Sequence, residues 1–388
     1  MSVRWLVGSY VEPNAAPYLG RVLAAYGQLE LIDWNRLKGM TRPQDPPLRA
    51  FELPGEPLWV AAGARAGMAF GVNVWDYWNV PVAALLIVSI AAVALAIGGP
   101  VLALITGLIT ALDPVTLLHA SNRDDTVLGS ALLWAVLAMI ALQWRGWRYV
   151  PLFIAAGLAA ITRMEAVLMI IPLLAFRPIR RSAIVAVAGV VIALGIWGLR
   201  NQRVLHHFMV GSTHDGITLW ESNGPFALRS LSLGQVDIVS MDAGVMAPIF
   251  AHTQDLNEVD ADAYFKRQAF EYMAAHPFGV ARISIAKIAV SIASVHPNLP
   301  LTAPRNLAAI LDNALLLALA AIGFLKRRWW PVAIMCLVTL AMLAIGPAGM
   351  RYWLTLRGAL WMLAAAGVLS ISSRRIPRTL SSSAPAPQ

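Results

Sequence analysis

The sequence predicts an all-α polytopic membrane protein with roughly nine transmembrane helices, external interfacial helices and a small external helical region. Three observations carry this. Of 388 residues 58% are hydrophobic and only 13% charged, with a mean hydropathy of +0.65. A soluble domain of this size usually has an apolar share near ~45–50%. The apolar residues are gathered into stretches of roughly 17–25, the length that crosses a bilayer. Arginines collect in the short joints between those stretches, where they orient helices.

The spans fall at about 80–98, 101–118, 127–144, 182–199, 306–325, 330–347 and 352–371, with a broken pair of short helices near 150–176. Basic joints occur at Arg145 and Arg148, at Arg177, Arg180 and Arg181, at Lys326, Arg327 and Arg328, and at Arg374, Arg375 and Arg378. The positive-inside rule places all four in the cytoplasm. The turn holding Asp124 and Asp125, the segment 200–305 and the turn at Met350, Arg351 and Tyr352 then share the opposite, external face.

Residues 1–79 are expected on that face as an external loop. Between positions 11 and 79 the chain is mixed in polarity and rich in proline and tryptophan, as turns and interfacial amphipathic helices are. Met1 to Tyr10 is too short for a crossing helix or a signal peptide. Two readings stay open: a first helix lost upstream of the given start, or a chain that lacks it. Segment 80–199 forms a transmembrane core, 200–305 an external loop or helical cap, and 306–375 the last transmembrane helices. The low-complexity end, 376–388, is expected to be disordered.

The formal net charge of +9 is spread over membrane joints, which argues against a nucleic-acid partner. Cys336 is the single cysteine and lies in an apolar run, so neither a disulfide framework nor a cysteine metal site can form. His206, His207, His214 and His252 fall in the external segment without HxH or HExxH spacing, and no metal site is assigned to them.

Ionisable groups at membrane depth are expensive and mark candidate chemistry. Asp124 and Asp125 open the helix at Thr126, where acidic residues complement the helix dipole and cap free N–H groups without any catalytic role. Arg163 and Glu165 lie inside the broken pair, either as an intramembrane salt bridge or as lining of a cavity between broken helices. Arg351 has the position of a snorkelling interfacial anchor. Arg200 and Asn201 supply polar anchors where the span ending at Trp197 leaves the bilayer.

Taken together, Arg200, Asn201, Ser212, Thr213, Gly216, Leu219 and Asn223 resemble the loop of the C-type membrane glycosyltransferases. That group contains the protein O-mannosyltransferases and the aminoarabinose transferase of lipid A. Its pattern is an Arg-Asn pair followed by Ser-Thr-x-x-Gly-x-x-Leu-x-x-x-Asn, matched here without a gap. The stretches from Tyr264 to Ala269 and from Ala275 to Pro277, the Thr162-Arg163 segment and the Arg351-Tyr352 pair are also similar to the group.

The resemblance implies transfer of a hexose or pentose from a polyprenyl-phosphate donor to a lipid, glycan or protein acceptor, on the external face of a bacterial inner (plasma) membrane. It implies catalytic carboxylates at Asp124 or Asp125 and in the first external loop. There the family's aspartate is missing, and Glu12 is the carboxylate nearby. A carboxylate within reach of the acceptor hydroxyl can take its proton, and guanidinium donors meet the charge growing on the phosphate leaving group. Arg163, Arg200, Asn201, Lys287, Arg351 and Tyr352 are the expected substrate-binding residues. No cofactor is assigned with certainty, although a divalent cation bridging Glu12 or Asp124 to the donor phosphate fits this chemistry. A transporter or flippase of lipid-linked sugars and a non-catalytic relative are the alternatives. Against the transporter stand the absence of an internal repeat and the gathering of charges at one face.

Overall fold

The computed structural model describes residues 48–71, 78–121, 125–228, 252–253, 256–293, 302–327, 329–346 and 350–372. Among them every regular element is helical. Helix α1 spans Gly55–Phe70, α2 Val80–Leu112, α3 Pro114–Ser121, α4 Asp125–Ala141, α5 Tyr149–Thr162 and α6 Glu165–Ile170. They are followed by α7 Arg180–Leu205, α8 Asp215–Asn223, α9 Glu258–Ala275, α10 Pro277–Ala293, α11 Pro304–Arg327, α12 Trp330–Ile345 and α13 Met350–Ser372.

Among the described residues four stretches are long and apolar enough to cross a membrane: Val80–Leu112, Arg180–Leu205, Asn306–Lys326 and Trp353–Ile371. Three shorter apolar helices accompany them, Thr126–Ala141, Gly146–Thr162 and Val332–Ile345. Large apolar side chains on these helices point outward, Leu112, Val191 and Leu311 among them. An outer surface of that kind suits lipid, and lipid gives helices no hydrophobic reason to associate. Close packing must supply it. Gly323 of α11 meets the Leu363 carbonyl of α13 where a Cβ would have to stand, and a Cβ on Gly367 would lie 3.1 Å from the Gly323 nitrogen. These small residues let two backbones touch.

Helix α2 is two arms. Gly99 has φ 82 and ψ −177, outside the helical region, and Pro100 follows it. The arms run back along each other, since a Cβ on Gly107 would sit 3.3 Å from Ala91 Cβ. This turn matches the gap between the expected spans 80–98 and 101–118. The second span is not continuous, however. It stops at Asp113, whose φ of −62 and ψ of 120 are extended. Pro114 disfavours a helical residue before it. The Asp113 carboxylate then caps α3, accepting from Thr116 N and Thr116 Oγ1, each at 2.8 Å.

The expected broken pair near 150–176 is present. Helix α5 ends at Thr162, Arg163 is extended at φ −143 and ψ 112, and α6 begins two residues later. A 3-10 turn over Ile171–Ala175 completes the segment. The core lies among α2, α4, α5, α7, α12 and α13, around Trp134, Leu152, Ala186 and Trp353. A smaller cluster, Trp220, Phe265 and Ala269, joins α8 to α9.

Candidate functional site

A cavity of about 70 Å³ opens where the first turns of α4, the α5–α6 break, the C-terminal half of α12 and the start of α13 meet. Gly129, Arg163, Glu165, Thr339, Gly346 and Thr355 line it, with Leu133, Met169, Met342 and Leu343 as its apolar wall. Its charge comes from Arg163 and Glu165. Arg163 Nη2 donates to Glu165 Oε1 at 2.8 Å, and Nη1 donates to Thr126 Oγ1 at 3.2 Å. The break at Arg163 therefore ties the N-termini of α4 and α6 together. Gly129 makes this possible, because a Cβ there would lie 2.5 Å from Arg163 Cδ.

At the lining residue Thr355, Oγ1 is hydrogen-bonded to Ser130 Oγ at 2.8 Å, and Trp134 Nε1 donates to the Thr355 carbonyl at 3.0 Å. These bonds set α4 against α13. Asp125 stands one helical turn before Gly129 on α4, and Arg351 one turn before Thr355 on α13. Both positions thus lie above residues that line the cavity. Tyr352 is in the first turn of α13, and its side chain, like those of Asp125 and Arg351, lies outside the description. Glu12 and Asp124 lie outside the described residues altogether.

The Arg200 and Asn201 pair is engaged elsewhere. Arg200 Nη1 donates to the Arg49 carbonyl at 2.7 Å and to Asn201 Oδ1 at 3.0 Å, with its guanidinium 4.9 Å over the Trp197 ring. Asn201 is fully buried and donates to the Met209 carbonyl at 2.8 Å. Neither residue lines the cavity. Glu258 extends the same junction, accepting from Arg49 N, Ala50 N and Thr213 Oγ1 at 2.9, 3.1 and 2.9 Å.

The loop pattern folds into scaffold. Ser212 N and Oγ donate to the Asp215 carboxylate at 3.0 and 2.6 Å, closing the turn into α8. Burial raises the Asp215 carboxyl above its ordinary value, against the pull of those bonds. Gly216 N donates to Asp262 Oδ1 at 2.7 Å, and a Cβ at Gly216 would run into the Asp262 carbonyl. Asn223, fully buried, donates to the Leu219 and Ile345 carbonyls at 3.0 and 2.7 Å.

Lys287 of α10 was expected to face substrate, but its donors end on protein. Nζ donates to Asn223 Oδ1 at 3.0 Å, the Ile345 carbonyl at 3.2 Å and the Gly346 carbonyl at 3.0 Å. Burial pushes its pKa down to about 7.

A second charged cluster was missed in the sequence. Arg357 of α13 is buried and donates through Nε to both Asp113 carboxylate oxygens at 3.1 Å. Its Nη2 pairs with Asp113 and, at 2.9 Å, with Asp312, and Nη1 donates to Asn313. Each of these charges stands alone in its own apolar span. A lone charge at that depth needs a partner, and opposite signs in three spans were the available signal. Among the described residues no group of three His, Cys, Asp or Glu side chains is placed to hold a metal ion.

No protein-family model and no curated protein matches the chain. Among solved structures it is similar to ArnT from Cupriavidus metallidurans bound to undecaprenyl phosphate, with a TM-score of 0.37. It is also similar to the apo state of that protein, with a TM-score of 0.35. Each match has 16% identity and covers 95% of this chain and 74% of the other.

Proposed function

We propose that the chain is a membrane glycosyltransferase that moves a hexose or pentose from a polyprenyl-phosphate carrier to a lipid, glycan or protein of the cell envelope. In this reading the apolar helices, with the first arm of α2 and its second arm continued by α3 taken separately and the broken pair included, make roughly nine crossings. The cavity opens to the external face of a bacterial inner membrane.

The observation that carries the reading is the cavity itself: Arg163 and Glu165 face each other across a helix break, over an apolar wall of Leu133, Met169, Met342 and Leu343. A polyprenyl phosphate has the same two parts. Its chain suits the apolar wall, and its phosphate suits a guanidinium, which can give it two parallel hydrogen bonds. The N-termini of α4 and α13 carry partial positive charge toward the same place. Arg351, one turn above Thr355, adds a second cation, and Tyr352 a phenolic donor beside it.

The chemistry then divides among the residues. Arg163 and Arg351 meet the charge that grows on the phosphate as the bond to the anomeric carbon breaks. Asp124, Asp125 or Glu12 takes the proton of the attacking hydroxyl. Arg200 and Asn201 hold the segment between α7 and α8 in place. A divalent cation bridging a carboxylate to the phosphate would serve the same electrostatic end.

The test is binding of undecaprenyl phosphate to the purified protein, compared with the matching polyprenol that lacks phosphate. Phosphate-dependent binding, weakened about 10-fold or more by Arg163→Gln, is expected for loss of a charge-assisted contact. Equal binding of the two lipids by the wild type would reject the reading.

A further inference from the structure

We propose that Lys287 is a positioning residue: its amine pins the C-terminal end of α12 to α8 and α10, and so fixes the wall of the cavity that Gly346 and Leu343 provide. That the wall serves a lipid-phosphate donor rests on the function proposed above. The pin itself does not.

The geometry is specific. Helix α12 ends at Ile345, so the carbonyls of its last turn lack partners within the helix. Lys287 Nζ reaches the Ile345 and Gly346 carbonyls, and Asn223 Nδ2 reaches Ile345 as well. Asn223 Oδ1 in turn accepts from Lys287, so the amine, the amide and the two carbonyls form one closed set. Ser284, almost one turn before Lys287 on α10, donates to the Ala344 carbonyl at 2.8 Å. Three consecutive carbonyls at the end of α12 are therefore held from outside the helix. Leu343, just before them, and Gly346, the last of them, line the cavity. A lysine whose donors are used in this way has none directed at a ligand.

Burial pushes the pKa of this amine down to about 7, while the three oxygens around Nζ favour its charged, three-donor form.

Amide hydrogen exchange of the lipid-free protein tests this without reference to any donor. In Lys287→Met, exchange at Leu343 to Gly346 is expected to rise about tenfold or more, while α5 is unchanged. Asn223→Ala, a milder change, should raise the same amides by a smaller factor. Unchanged protection in the variants overturns the pin. Faster exchange together with a wild type that binds no undecaprenyl phosphate would keep the pin and remove the donor reading. Slower donor binding in Lys287→Met with unchanged exchange would make Lys287 a ligand instead.

Discussion

Arg357 and Asp113, 244 residues apart in the chain, meet as a buried ion pair with side-chain exposures of 1% and 0%. Asp113 also caps α3, so one carboxylate ends an apolar arm, starts the next helix and neutralises a guanidinium on α13. Arg357→Leu is expected to destabilise the protein by about 3–5 kcal/mol, because Asp113 would stay buried without its partner. The double variant Arg357→Leu with Asp113→Asn should recover a large part of that loss. Thermal unfolding of the four proteins in one detergent measures the coupling, and strict additivity would mean that the pair contributes nothing jointly.

Asp125 opens α4 one turn above the cavity. If it acts on substrate, Asp125→Ala lowers turnover by roughly 100-fold or more. A cap alone would lose about 0.5–2 kcal/mol of stability and leave turnover per folded molecule nearly unchanged. Sugar transfer normalised to folded protein separates these outcomes, and the same measurement on Asp124→Ala assigns the role between neighbours.

Glu12 and Arg351 should fail in opposite ways. With Glu12 as the base, Glu12→Gln abolishes transfer and leaves binding of the polyprenyl-phosphate donor largely intact, since an amide keeps the size but cannot take the proton. Arg351→Ala weakens donor binding first, because it removes a contact already made in the ground state. Unchanged transfer by Glu12→Gln would move the base to Asp124 or Asp125.

Topology is open to a direct check. In a Cys336→Ser background, Asp260→Cys should react with a membrane-impermeant maleimide on intact cells, whereas Gln143→Cys beside the Arg145 joint should react only after lysis. Both positions are exposed on the protein, so a silent site reports the membrane and not burial. Labelling of Gln143→Cys in intact cells would invert the assigned face of the cavity.

Much of the helical architecture was legible because hydropathy is local. The apolar stretches, the turn at Gly99 and Pro100 and the break at Arg163 each announce themselves within a few residues. Arg163 and Glu165 were legible as a pair for the same reason, being two positions apart. Arg357, Asp113 and Asp312 were not, since nothing near any of them names its partner, and only the expense of a lone intramembrane charge hints that one exists. The pattern from Arg200 to Asn223 was legible as a resemblance, but its structural part was not: Ser212, Gly216 and Asn223 spend their hydrogen bonds on Asp215, Asp262 and Ile345. A loop that must hold one shape at a membrane surface demands the same residue types as a loop that binds a ligand.

The turn at Gly99 bears on how the molecule is made. The arm from Pro100 to Leu112 is roughly 20 Å long at a rise of 1.5 Å per residue, short of a bilayer's hydrocarbon thickness. It ends on an aspartate whose countercharge lies 244 residues downstream. At roughly 5–20 residues per second the ribosome needs on the order of 12–50 s to reach that arginine. Over that interval the contacts open to the arm within the chain already made are its hairpin neighbour and the Thr116 cap, and the distance between two residues sets how long the carboxylate goes without its countercharge.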